Sequence, residues 1–393
     1  MDDPDLHEIR DAVQDCNINL LMGAGTSSPF LKLLGNVEKL LTDLSNLEIN
    51  PNIDKIVRAS IYAYFFDECL SKNLDLIENS KSAQAVLDKY KDFLKSINYI
   101  LLKRKSSILS KQVNVFTTNV DVFLEKAFEN TRLEYNDGFS GRFEPTFSLS
   151  NFKKSQFKKS LHYDNTSEMP VFNLMKLHGS LTWRVKDDES ITFTSLLENV
   201  KAIKKCEKPD SRVEVADQST AEELVKAASS KTLDQKTLDY MNAYDKLAII
   251  NPNKEKFMHS LMNQTYYELL RIFSNELEKE NTILFAAGFS FADEHIREVT
   301  LRAANSNPTL MIYIFAYSND TRKKLEKLLD LKSVKNKNVK IMAPHLKKNK
   351  SGKIEEPYKY DLKNITDLIF NKLLPRQETD KVDFQEPATL ETS

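Results

Sequence analysis

The 393-residue chain is 41% hydrophobic and 29% charged, an ordinary globular composition that allows a large core and two to three domains. Its 56 Lys and Arg nearly balance 57 Asp and Glu, so no global field pulls it toward nucleic acid or anionic lipid. No apolar stretch approaches the ~20 residues that span a bilayer, and the acidic start Met1-Asp2-Asp3-Pro4-Asp5 lacks a signal-peptide pattern, which predicts a cytoplasmic protein.

Short apolar runs predict buried parallel strands at Ile18–Met22, Val113–Thr117, Phe172–Leu177, Leu247–Asn251, Thr282–Ala287, Leu310–Ala316 and Val339–Ala343. Most are bracketed by turn residues or followed by helical periodicity, the pattern of a doubly wound, mostly parallel α/β sheet in a single domain. Two stretches interrupt it. Residues 34–110 read as a helical insertion, with runs such as Ile53–Leu70 and Val86–Leu102, and residues 184–245 as a polar insertion. After Asn251-Pro252, Asn253 caps a predicted helix in which Met258, Met262, Tyr266, Leu269, Phe273 and Leu277 recur at spacings of three and four. Phe289–Ala304, Asp320–Leu331 and Asp361–Leu374 read as further helices, and residues 375–393 as a frayed tail.

The first strand runs into Gly23-Ala24-Gly25-Thr26-Ser27-Ser28-Pro29. Glycines at the first and third places let the backbone turn tightly and approach a pyrophosphate held by helix N-terminal N–H groups. Ser28 is placed to cap that helix and Pro29 to open it. The hydride-transfer fingerprint is incomplete, because its sixth place is Ser28 and the residue ~20 positions on, Asp43, sits in helical Val37–Leu47. The second strand leads into Thr117-Thr118-Asn119-Val120-Asp121. Asn and Asp there are ordinary caps for a helix over Val122–Phe128, and taken alone this loop favours capping. Read as chemistry, Asn119 offers an amide for a ribose hydroxyl or water, and Asp121 a charge for an opening glycosidic bond.

Lys176-Leu177-His178-Gly179-Ser180 ends a third apolar strand. A single histidine is more often structural than catalytic, yet this one sits where open α/β sheets bind ligands, and an ordinary imidazole takes a proton near neutral pH. Trp183, the chain's one tryptophan, reads as packing for that loop. A fourth strand ends in Gly288-Phe289-Ser290-Phe291-Ala292-Asp293, followed by a helix beginning near Glu294, and its Gly288 and Ser290 can approach the adenosine side of a dinucleotide. Asp293 reads equally as helix cap or ligand, and His295 receives no catalytic role.

Cys16, Cys69 and Cys206 are scattered, and the six histidines include no pair at helical spacing. No disulfide framework, structural zinc or other bound metal is expected. Lysine clusters at 153–159, 201–208 and 347–353 read as solvated loops before they read as nucleic-acid contacts.

The first three loops together resemble the sirtuin signature. With the fourth, and with Tyr135-Asn136-Asp137-Gly138-Phe139, the chain from about Asn17 to about His345 resembles the sirtuin-like NAD-hydrolase domain of bacterial antiphage defence systems. The similarity is strongest to the stand-alone subunit encoded beside a HerA-type hexameric ATPase. The resemblance implies a Rossmann-like fold, Asn119 and His178 as an essential pair, and Asp121 as a ribose contact. It places Gly23, Ala24, Gly25, Thr26, Ser27, Thr118, Gly288, Phe289 and Ser290 at the NAD. Protein-deacylating sirtuins carry a four-cysteine zinc module that three scattered cysteines cannot make. Pro29-Phe30-Leu31-Lys32 stands where their glycine- and arginine-containing continuation would be.

The expected activity is therefore cleavage of NAD⁺ to nicotinamide and ADP-ribose, with NAD as substrate and no metal. The resemblance further implies a homo-oligomer, a HerA-type ATPase partner and a role in antiphage defence. A protein deacylase and a silent module that binds NAD or ADP-ribose are the rival readings.

Overall fold

The computed structural model describes residues 4–373 except 34, 105, 107, 251–259 and 349–353. Seven strands form one sheet: β1 (Asn17–Met22), β2 (Gln112–Thr117), β3 (Tyr135–Asn136), β4 (Val171–Lys176), β5 (Thr282–Ala287), β6 (Leu310–Phe315) and β7 (Val339–Met342). Their order is β7-β6-β5-β1-β2-β4-β3, and every neighbouring pair is parallel. The architecture is a Rossmann-like α/β fold. From β1 the chain crosses to β2 on one side, and from β4 it returns to β5 on the other. The carboxyl ends of β1 and β5 thus flank the topological switch point, where such sheets open a crevice.

Strand residues alternate between two cores, as a sheet covered on both faces requires. Leu20, Met22, Val113, Val115 and Leu174 enter one, while Leu21, Phe116, Met175 and Leu177 enter the other. The first face is covered by α1 (Pro4–Asp15), α2 (Gly35–Ser45), α3 (Pro51–Phe65), α4 (Asn73–Ile77), α5 (Lys81–Lys103) and α6 (Phe123–Thr131). Helix α5 buries Val86, Leu87, Tyr90, Phe93, Leu94 and Ile97, a stripe at spacings of one and three that faces the sheet along its length.

The segment expected as a polar insertion joins the same layer. Its helices α7 (Glu198–Lys205), α8 (Ala221–Ala228) and α9 (Gln235–Tyr244) bury Val200, Ile203, Leu224 and Tyr240. Tyr244 of α9 stacks on Tyr62 of α3 at 4.5 Å. The stretch is polar because each short helix exposes most of its surface and buries one narrow stripe. On the opposite face lie α10 (Ser260–Leu277), α11 (Glu294–Ser306) and α12 (Asn319–Leu329), and α13 (Leu362–Leu368) returns to the first layer against α5. Asp361–Leu374 was expected as one helix, but α13 gives way to a 3₁₀ turn at Phe370–Leu373.

Two expectations are corrected. Leu247–Asn251 adds no strand to the sheet: Ile249 makes a single antiparallel bridge with Gly179, and the Ile250 N–H donates to the His178 carbonyl at 2.9 Å. Its apolar residues are buried against the turn after β4 instead. Helix α11 begins at Glu294, as read from the loop after β5, and not at the Phe289 of the longer run Phe289–Ala304, because Asp293 accepts the Ile296 N–H at 3.2 Å and Phe291 adopts φ +56°. Asn253 as a cap and the 375–393 tail lie outside the described residues.

A small antiparallel sheet, Phe139–Ser140, Thr146–Phe147, Ile191–Phe193 and Trp183–Val185, closes the β4 side. Trp183 packs 4.8 Å from Phe147 within it, as expected of a packing residue. The cluster at Lys153–Lys159 runs into an exposed hairpin, Gln156–Lys159 with Thr166–Met169. No helix of the described residues is long and apolar enough to cross a membrane.

Candidate functional site

The loops after β1 and β5 are stitched together through their backbones. The Gly23 N–H donates to the Ala287 carbonyl at 3.0 Å and the Gly25 N–H to that of Gly288 at 2.9 Å. A Cβ on Gly23 would sit 2.6 Å from the Gly288 oxygen, and one on Gly288, at φ +61°, would sit 2.5 Å from the Thr26 nitrogen. Only glycine permits this approach. The expected helix at Ser28 does not form. Ala24–Thr26 make a 3₁₀ turn, in which the Thr26 and Ser27 N–H groups donate to Gly23 and Ala24, and α2 starts only at Gly35. Ser27 gives its carbonyl to the Leu31 N–H and its side chain to the interior, so the chain leaves as a turn. Those N–H groups are therefore engaged within the protein and do not form an open phosphate cradle. Ala24 is exposed at the loop tip.

Asn119 is held on three sides. Its N–H donates to Thr117 Oγ1 at 3.0 Å, while Thr117 Oγ1 itself donates to the Met22 carbonyl at 2.8 Å. The Asn119 amide Nδ2 donates to the Gly23 carbonyl at 3.1 Å and to Thr26 Oγ1 at 3.3 Å. A carbonyl oxygen only accepts, so the Gly23 contact fixes which end of the amide is nitrogen. The other end, Oδ1, is buried without a hydrogen-bond partner, and the residue is 7% exposed. The amide oxygens of Asn173 and Asn338 are in the same state, and Asn119 differs from them in standing just past the carboxyl end of a strand. The amide does not cap a helix, which settles the two readings of Asn119 against capping.

Asp121 lies deeper, 5% exposed. Its Oδ2 accepts Ser27 Oγ at 2.8 Å and its Oδ1 accepts the Phe123 N–H at 3.2 Å, a local turn at the start of α6. Burial pushes its pKa above the ordinary carboxylate value, and the Lys176 ammonium and the Ser27 hydroxyl act in the opposite sense. Both oxygens are thus engaged within the protein. Lys176, itself buried, donates to the Asp121 carbonyl and pairs with Glu125 at 3.1 Å, and Glu125 accepts Ser180 Oγ at 3.1 Å. This brace ties the end of β4 to the loop after β2.

Tyr90 reaches the same network from α5. Its hydroxyl lies 2.7 Å from Thr26 Oγ1 and 2.8 Å from Ser27 Oγ, and its ring stacks on Phe123 at 5.4 Å. Burial and the Asp121 charge push its pKa far up, so it remains a phenol.

His178 stands at the end of β4. Its Nε2 is 3.1 Å from Asp293 Oδ2, and its ring packs 5.8 Å from that of Tyr266. Gly179, at φ +77°, lets the turn pass the Ala248 carbonyl, where a Cβ would lie 2.2 Å away. Backbone bonds from Leu177 to Thr117 (2.8 Å) and from Leu181 to Val120 (3.1 Å) run alongside the Asn119 loop. Among the described residues no hydrogen bond joins the His178 and Asn119 side chains; they meet as neighbours at adjacent strand ends. Thr118 is half-buried in that loop, and Ser290 is exposed, its Oγ accepting the Ala292 N–H at 3.3 Å. Phe289 lies against Gly23, with its ring 4.9 Å from Phe291.

The structure thus brings the four loops to one edge of the sheet. Asp293 takes the first of its two readings, as the cap of α11, and also pairs with His178, which its sequence context does not suggest. Tyr90, Glu125 and Lys176 were not expected. A lysine inside the apolar run Leu174-Met175-Lys176-Leu177 is a readable signal for a buried ion pair, whereas nothing around Tyr90 separates it from other core positions of α5. Two clefts lie away from the His178 turn, one of about 400 Å³ against Arg184–Asp188 and one of about 320 Å³ beside Asn319 and Ala343–Leu346. We place more weight on the buried polar geometry at the strand ends, because an open surface cleft carries no chemistry by itself. Among the described residues no group of three or more His, Cys, Asp or Glu side chains could hold a metal ion. No protein-family model and no curated protein matches the chain.

Proposed function

We propose that the chain is an NAD⁺ glycohydrolase that converts NAD⁺ and water into nicotinamide, ADP-ribose and a proton. The observation that carries this reading is the buried, unpartnered Oδ1 of Asn119 at the sheet's carboxyl edge. It is an acceptor held in place from the other end of its amide, ready for an O–H of ribose or of water. NAD⁺ supplies the hydroxyl, and its positively charged nicotinamide is a good leaving group.

The C1′–N bond breaks with its electron pair going to the nicotinamide nitrogen, leaving oxocarbenium character on the ribose. A water oxygen attacks C1′, and His178 takes the water's proton. Asn119 orients water or ribose, and the buried carboxylate of Asp121 sets a negative field beneath the crevice. Substrate placement at the carboxyl ends of β1 and β5, over the joined loops, follows the switch-point rule. The closed Ala24–Thr26 turn means that phosphate binding requires other donors or a local opening of that turn.

Assembly as a homo-oligomer, with a HerA-type ATPase, and action in antiphage defence are part of the same proposal and rest on the four-motif resemblance alone. The test is NAD⁺ consumption by the purified chain, alone and with a co-encoded ATPase, with products separated by chromatography. Stoichiometric nicotinamide and ADP-ribose, lost in Asn119→Ala, are expected. NAD⁺ binding without turnover in both settings would overturn hydrolysis in favour of a silent binding module.

A further inference from the structure

The partner of His178 is placed with unusual rigidity. Asp293 Oδ1 accepts the Ile296 N–H at 3.2 Å, its carbonyl accepts the Arg297 N–H at 3.0 Å, and the Arg297 guanidinium holds the Phe291 carbonyl at 2.9 Å. Asp293 Oδ2 then meets His178 Nε2 at 3.1 Å, with side-chain exposures of 12% and 21%. The His178 backbone is held from the other side, since its carbonyl accepts the Ile250 N–H at 2.9 Å. Two strands, β1 and β2, lie between β5 and β4 in the sheet, so this pair ties together loops that are not sheet neighbours.

A carboxylate accepts and does not donate, so the nitrogen facing Asp293 must carry a proton. We infer that Asp293 is the positioning residue of this site: it holds neutral His178 as the Nε2–H tautomer, so that the proton from water or ribose is taken at Nδ1. The inference rests on the NAD⁺-cleavage reading for its substrate, and on the Asp293–His178 geometry alone for the tautomer. Among the described residues, the ionisable groups around the ring are Asp293 from the α11 terminus and Tyr266 from α10, with His295 beyond Tyr266 at 6.3 Å. Burial holds Tyr266 well above the usual phenol range, so near neutrality it adds no charge. Asp293 is therefore the group that decides the tautomer of the imidazole.

The decisive variant is Asp293→Asn. Asparagine caps helices as well as aspartate, so the α11 terminus is kept while the charge and the obligate acceptor are lost. Folding is expected to be preserved, with kcat falling about a hundredfold to a thousandfold, within the range a general base contributes, and KM little changed. Asp293→Ser, a second capping variant, is expected to do the same. Nitrogen NMR of the substrate-free protein reads the tautomer without any activity: Nε2–H in the wild type, and a mixture in Asp293→Asn. An Nδ1–H tautomer in the wild type overturns the inference even if NAD⁺ is cleaved. A wild-type kcat in Asp293→Asn, or a gain in activity, also overturns it. A wild type that shows the Nε2–H tautomer but never cleaves NAD⁺ retains the tautomer assignment and removes the hydrolase reading.

Discussion

Tyr90 of α5 and Asp121 after β2 are joined through a single hydroxyl, Ser27 Oγ, which lies 2.8 Å from each. The helical layer thereby holds the loop after β1 by a polar contact made inside the core. Tyr90→Phe keeps the ring on Phe123 but leaves buried hydroxyls of Thr26 and Ser27 short of a partner. A loss of about 1–3 kcal/mol in denaturant unfolding is expected. NAD⁺ cleavage is expected to fall with it, because Thr26 also receives the Asn119 amide. A Phe variant with unchanged stability and rate would show that the contact positions nothing.

Asn119→Ala removes both the orphaned acceptor and the two amide contacts. NAD⁺ cleavage is expected to drop by at least about a hundredfold, as for loss of an orienting polar group in a site of this kind. At 7% exposure the residue is not the free loop position that its sequence context implies. Unfolding is therefore expected to show a smaller, separate cost of about 1–2 kcal/mol. Circular dichroism and product chromatography on the same preparation distinguish the two effects.

Lys176 and Glu125 form an ion pair that water barely reaches, with side-chain exposures of 2% and 9%. Lys176→Met leaves Glu125 buried beside Asp121 without its counter-charge, and a loss of about 3–5 kcal/mol is expected. Lys176→Met combined with Glu125→Leu is expected to recover much of it, since the pair's attraction mainly offsets its own desolvation. A double-mutant cycle by urea unfolding measures the coupling, and additive losses would count against the brace.

Asp137, after β3, is held up at about 6 by burial, with the Glu125 charge acting in the same direction. An acid whose pKa is raised on folding binds more protons in the native state. Stability is therefore full below the unfolded value near ~4, falls as pH rises toward 6, and stays lower above. Asp137→Asn keeps an acceptor for the Phe139 N–H, now met at 3.1 Å, and removes the charge. A gain of about 2–3 kcal/mol at pH 7–8, vanishing below about pH 4, is expected from a shift of this size. Matched pH series of unfolding midpoints for both proteins check it, and a gain independent of pH would assign the effect to packing.

The parallel sheet was legible because its strands are short apolar runs buried on both faces, and such runs are local in sequence. Six of the seven expected strands appear close to their expected ends; the seventh, Leu247–Asn251, is equally apolar but is buried against the turn at Gly179 instead of in the sheet. Apolar content reports burial and not which surface is met. The α11 start moved to Glu294 because a side-chain cap and one positive φ outweighed apolar periodicity.

Sequence by itself determined the four strand-end loops and the residue types they carry, since glycine, asparagine and histidine at those places follow from local backbone and chemical demands. Only the tertiary structure decided which groups face one another. The loop after β1 is closed onto Gly288, Asp121 has both oxygens engaged inside the protein, and Tyr90 enters from a helix 63 positions beyond Ser27. His178 is paired with Asp293 across 115 positions of chain. Contacts at such separations depend on how strands are ordered and how helices cover them, and no local pattern encodes that order.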